Sequence, residues 1–115
     1  MGQVRVVTTD AGIDAAMERA REFDRRPRIA GVEYSRDVDV VVVHLTTGRR
    51  LVIPREELQG VENAGAGELA EVEVFAGLSL AWPQWDVDHY LPHLLERQCG
   101  DERWMEALRR RGVAA

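Results

Sequence analysis

Between Val38 and Leu45 the chain reads Val-Asp-Val-Val-Val-Val-His-Leu, and this run limits the fold more than any other segment. It is too short for a buried helix and rich in β-branched side chains, so it suits a strand. Apolar residues on both sides of the pleat predict a central strand covered on both faces. Its neighbours supply the partners. Ala30, Val32 and Tyr34 alternate with Gly31 and Glu33 before it, and Ser35-Arg36-Asp37 is a short polar turn. After it, Thr46-Thr47-Gly48-Arg49 makes the next turn, and Leu51 and Ile53 form the inward face of a third strand. Pro54 ends the ladder because it has no N–H to donate. The expectation is a three-strand antiparallel meander built from local turns.

The period is helical before Pro27. Ile13, Ala16, Met17, Ala20 and Phe23 form a stripe at helical spacing, with Thr8, Thr9 and Asp10 as candidate caps. Glu18–Arg21 and Glu22 with Arg25 or Arg26 can pair along the opposite face. Pro27 ends the helix, and a short β-prone segment, Val4–Thr8, is expected ahead of it. Beyond the meander, Arg55 to Leu69 reads as irregular or short helical turns interrupted by glycines. Glu71–Phe75 alternates as a half-exposed strand. Ala76-Gly77 turns it into a second run with Leu78, Leu80 and Trp82 inward. Asp86 or Asp88 is expected to cap a short helix carrying Leu91, Leu94 and Leu95, and Asp101 a last helix with Trp104, Met105 and Leu108. The sum is one α+β domain over residues 1–115: an N-terminal strand and helix, the meander, a further β-hairpin and C-terminal helices packed on the sheet.

Composition excludes much chemistry. All 15 basic residues are Arg, so Schiff-base and P-loop lysine chemistry are absent. Ser35 and Ser79 stand apart from any His–Asp pattern, and Cys99 is the single cysteine, read as a small apolar filler. The formal charge of −5 disfavours an extended nucleic-acid face, and Arg109-Arg110-Arg111 suits a helix C-terminus. No apolar run reaches bilayer length and no signal-peptide core opens the chain, so a cytoplasmic, non-membrane protein is expected.

The segment Trp82-Pro83-Gln84-Trp85-Asp86-Val87-Asp88-His89-Tyr90-Leu91-Pro92-His93 is the most distinctive. Asp86, Asp88, His89 and His93 could serve a metal-dependent activity if one helix placed both histidines on a face. Pro92 interrupts that pair and no third ligand has recognisable spacing. The alternative makes the aspartates caps and the histidines surface residues. His44, opposite Val43 and Leu45, reads as a packing residue. Glu56-Glu57 and Glu71/Glu73 read as solvated acidic groups. Trp82 continues the core face of its strand, whereas Trp85 lies past the strand end and is expected to be substantially exposed at a protein interface.

The meander, Gly48, Pro54, Leu58, Leu69, Val72 and then Trp82-Pro83-x-x-Asp86-x-Asp88 followed by Leu94-Leu95 resemble the domain-of-unknown-function family 2442, over roughly Arg28 to Met105. The resemblance implies a small bacterial α+β domain without established catalysis, and an antitoxin or regulatory role. It brings no catalytic residues. Trp85 stands where similar chains usually carry Leu, and many of them continue into a basic Gly- and Arg-rich tail where this one stops at Ala115.

The resulting expectation is a non-enzymatic, cofactor-free interaction protein that binds and masks a protein partner through Trp85, Asp86, Asp88 and Tyr90. The partner would be toxin-like, or a nucleic-acid enzyme inhibited by carboxylates placed where phosphates sit. Exposed sheet edges make a second copy of the chain a further candidate partner, and no direct nucleic-acid contact is expected. Metal analysis checks the competing reading. The purified protein should carry no stoichiometric zinc or manganese, and metal lost on His89→Ala or His93→Ala would reverse that.

Overall fold

The computed structural model describes residues 10–112. Helix α1 spans Asp10–Arg25, and Pro27 follows its end, where the pre-proline restriction breaks the helical path. Glu18 holds Arg21 at 3.2 Å and Arg25 at 3.1 Å on its solvent side. The expected pairing of Glu22 with Arg25 or Arg26 lies outside the described side chains. The Val4–Thr8 strand and the Thr8 and Thr9 caps lie outside the described residues.

The meander forms as its turns dictate: β1 Ile29–Ser35, β2 Val40–Leu45 and β3 Arg50–Pro54, antiparallel in the order β1-β2-β3. Strand β2 is central, but its two faces differ. Val41, Val43 and Leu45 are buried, while Val40, Val42 and His44 are only half-buried. The expectation of cover on both faces fails because no described layer closes over the second face. A bulge between Ile29 and Gly31 also shifts the phase of β1, leaving Ala30 exposed and Ile29 buried. At the β1–β2 turn, Asp39 adopts a left-handed conformation and accepts from Tyr34 Oη and Arg55 Nη2. Those two donors, the arginine first, hold its carboxyl below the ordinary range.

After β3 the chain makes a 3₁₀ turn at Arg55–Glu57 and a four-residue helix, α2, at Ala66–Leu69. A second sheet follows, β4 Glu73–Phe75, β5 Ser79–Trp82 and β6 Val87–Tyr90, in that order. Ala76 and Gly77 both take positive φ (54° and 68°) in the turn between the paired Phe75 and Ser79, which the Leu78 N–H closes on the Phe75 carbonyl at 3.0 Å. Strand β6 corrects the sequence reading, in which Asp86 or Asp88 capped a helix here. Asp86 instead turns the chain at φ 51°, Asp88 pairs with Ala81, and the helix α3 begins only at Leu91, running to Leu95. The last helix, α4, is Glu102–Arg110, capped as expected by Asp101, whose Oδ1 accepts from the Trp104 N–H at 2.8 Å.

One core joins both sheets and the C-terminal helices. Val41, Val43, Ile53, Leu58, Leu80, Trp82, Leu91, Leu94 and Leu108 are fully enclosed. Trp82 is the largest of them, 1% exposed, and its indole N–H donates to the Leu69 carbonyl at 3.1 Å. That bond ties β5 to α2. Gly60 completes the packing at φ 100°, where a Cβ would lie 2.5 Å from Val87 Cγ2. Trp82→Ala should therefore lose about 3–5 kcal/mol of unfolding free energy in urea titrations, counting cavity and lost hydrogen bond together. Trp85→Ala should lose clearly less. Equal losses would show that Trp85 is an equal member of the core.

Candidate partner-docking surface

The surface around Trp85 follows from how β5 ends. Trp82 fixes the strand end in the core, and Pro83 opens a 3₁₀ turn, Pro83–Trp85, in which its missing N–H is harmless. The left-handed Asp86 then reverses the chain into β6. This sharp turn throws Trp85 and Asp86 to different sides.

Trp85, Pro83 and Gln84 line one concavity of about 440 Å³ with Glu68, Glu71 and Glu73. Trp85 is half-buried and leans on the core, so the expectation of substantial exposure is too strong. Its indole still faces the concavity. Three glutamates share its lining, and among the described residues no basic side chain does. Glu68 has one oxygen engaged by the Gly65 N–H at 2.9 Å, which ties its carboxylate to the start of α2. Glu71 lies in the turn after α2, its N–H donating to the Glu68 carbonyl at 3.1 Å, and Glu73 opens β4.

Asp86, Asp88 and Tyr90 face a different concavity, of about 480 Å³, shared with His89, His93 and Gln59. The four residues expected to act together are thus divided, Trp85 on one side and the rest on the other. The histidines do not share a helix face either. His89 lies on β6 and is buried, its Nε2–H donating to the Gln59 carbonyl at 3.0 Å. Its ring also meets Trp82 edge-on, with centroids 6.4 Å apart. His93 is exposed on α3 and stands edge-on to Tyr90 at 5.5 Å. Among the described residues, no three His, Cys, Asp or Glu side chains converge as metal ligands would.

The other candidate groups have structural partners. His44 is half-exposed and lies 2.9 Å from Glu33. Cys99 is buried, and desolvation pushes its thiol up to about 11, which suits a packing residue more than a nucleophile. Arg109 and Arg110 both engage Glu106, and Arg111 lies 5.9 Å over the Trp104 ring. The C-terminal arginines are thus partly neutralised where they stand. Sequence reasoning missed Glu68. No local signal pointed to it, because α2 ends at Leu69 and the approach of Glu68 to Glu71 and Glu73 depends on the turn that follows.

The family model described as "Protein of unknown function (DUF2442)" matches residues 29–98. Among solved structures, a protein of unknown function from Rhodospirillum rubrum ATCC 11170 superposes with a TM-score of 0.68 at 35% identity, covering 70% of this chain and 99% of that one. An uncharacterized protein from Chromobacterium violaceum, solved by NMR in solution, gives a TM-score of 0.65 at 23% identity over 90% of this chain and 95% of its own, a likeness of fold. None of the curated proteins matches. No helix among the described residues is long and apolar enough to cross a membrane.

Burial makes His89 a pH-dependent element of this surface. Desolvation, the largest influence, lowers its pKa below the ordinary 6.5, against smaller opposing effects of the Gln59 carbonyl and Asp88. The neutral ring is therefore the folded form. Its contribution is complete above about pH 6.5 and declines as pH falls toward the folded pKa, since the unfolded chain takes up the proton first. Unfolding free energy should fall from pH 7 to pH 5, and His89→Gln, which keeps an N–H donor, should flatten that slope. An unchanged slope would place the dependence elsewhere.

Proposed function

The chain belongs to the DUF2442 family, and we propose that within it this protein is a non-catalytic interaction module that masks a basic segment of a protein partner. The observation that carries the reading is the setting of Trp85: an indole sharing one concavity with Glu68, Glu71 and Glu73 and, among the described residues, with no basic side chain. An arginine or lysine entering there meets both the carboxylates and the indole face with its charged end. Cation–π contact adds about 0.5–2 kcal/mol to such a site, depending on desolvation. The half-buried ring is held by the core before a partner arrives, which limits the ordering cost of binding.

A partner of this kind presents Arg or Lys on its own surface, as a toxin-like protein or a nucleic-acid enzyme does where it meets phosphate. Carboxylates at that place occupy the positions of phosphates. Masking such a surface needs no reaction, and the scarcity of nucleophiles agrees with that. The net charge of −5 steers a basic partner inward and speeds encounter at low salt.

Isothermal titration with an arginine-rich peptide tests the surface directly, and co-expression with the product of the adjacent gene tests the biological pairing. Binding should weaken as salt is added. Trp85→Ala should raise Kd about 30-fold, a hot-spot loss near 2 kcal/mol, and Glu71→Gln with Glu73→Gln should act in the same direction. All these variants should keep a folded core. Peptide affinity that ignores both the indole and the glutamates would sink the reading.

A further inference from the structure

Helix α1 lies outside the residues matched by the family model, and among the described residues nothing covers Ile13, Ala16, Met17 and Ala20 of its apolar stripe. Ile13 is 46% exposed and Met17 51%, with Ala16 and Ala20 exposed beside them. A solitary sixteen-residue helix is marginal in water, because most helices in proteins are held by the packing of their apolar face. Something should cover this one, and the charges beside the stripe indicate what.

At about 100° per residue, Asp14, Arg21 and Arg25 fall within about 40° of one another on a single flank of the stripe. Of these three, Asp14 stands toward the N-terminal end and the arginines toward the C-terminal end, while Glu18 lies beside Arg25 about 20° farther from the stripe. The opposite flank carries Gly12, Ala15 and Arg19. When two identical helices pair antiparallel about a twofold axis, each flank meets its own copy in reverse. Asp14 then faces Arg21 of the second copy, twice over. A parallel pair would set this flank against the opposite one and lose that match.

The stripe fits the same geometry. With the axis beside Met17, Ile13 of one helix lies against Ala20 of the other, and Met17 against Ala16. Each large side chain meets a small one, which lets the helices approach closely. The ion pairs of Glu18 with Arg21 and Arg25 are exposed and weak, so the guanidinium of Arg21 can be shared with Asp14 of the second copy.

We propose that α1 is a self-association element, through which two copies of the chain pair as antiparallel helices along the Ile13–Ala16–Met17–Ala20 stripe. The proposal is independent of the Trp85 surface, which lies on the second sheet.

Sedimentation of the full chain over a concentration series should show a reversible dimer. Met17→Glu should raise the dissociation constant at least about tenfold without altering the unfolding of dilute protein, since the side chain is exposed. Asp14→Arg and Arg21→Asp should each weaken the dimer, and the double exchange should restore it. Under mild oxidation, a mixture of Ile13→Cys and Ala20→Cys chains should cross-link to each other and neither to itself; buried Cys99 can remain. A monomer at every concentration overturns the proposal. So does a dimer indifferent to Met17→Glu, or efficient self-cross-linking of Ile13→Cys, which marks a parallel pair.

Discussion

Gln59 is the residue on which the arrangement of the two sheets depends. Its N–H donates to the Cys99 carbonyl at 2.9 Å and its own carbonyl accepts from His89. Its side-chain oxygen accepts from the Asp101 N–H at 2.8 Å, while its amide nitrogen lies 3.3 Å from the Asp101 carboxylate. One side chain and one peptide thus join the loop after the first sheet to β6, to the end of α3 and to the cap of α4. Trp104 repeats the link from the other direction by donating to the Glu57 carbonyl at 2.8 Å. A loop with so many backbone groups facing inward would be costly if they were unmatched. Here they are matched, and the loop becomes a joint between layers.

The surface chemistry inherits its geometry from this joint. Because Gln59 and Gly60 hold β6 in place, β5 must end where it does, and Trp82 must turn its indole toward Leu69. That bond fixes α2, which brings Glu68 to the rim of the Trp85 concavity. The acidic rim is therefore a product of core packing and not of a mobile loop. It also explains why Trp85 is half-buried. The 3₁₀ turn that presents it is too short to carry it away from the core.

Local chemistry was the legible part of this fold. The valine run, the turn at Gly48, the Ala76-Gly77 hairpin, the Asp101 cap and the inward order Leu80–Trp82 could all be read because each depends on neighbours in sequence. Strand β6 could not. In Val87-Asp88-His89-Tyr90 the alternation is hidden, since one inward position is a histidine whose burial depends on a carbonyl 30 residues earlier. The bulge at Ala30 was similarly silent, for it is set by pairing with β2. Of the candidate site, Trp85 and the pair Glu71/Glu73 were visible as residues of interest. Their meeting was not, because it depends on the return of the chain through α2 and β4. The α1 stripe was visible as a pattern, but periodicity says which residues share a face and nothing about what covers it.

The all-arginine composition gains a physical meaning in this setting. Arg55 reaches both carboxylate oxygens of Asp39, by Nε at 3.4 Å and Nη2 at 2.8 Å, and also donates to the Glu62 carbonyl. Arg97 donates to the Val52 carbonyl at 3.2 Å, across from the first sheet, and Arg109 uses two nitrogens on Glu106. A planar fork with five donors can satisfy several acceptors at once, which an ammonium does less well. Much of the positive charge is thus committed to internal acceptors. Among the described residues, Glu71, Glu73, Asp86 and Asp88 have no such partner in hydrogen bond or ion pair. These uncommitted carboxylates gather on the second sheet, beside the aromatic surface.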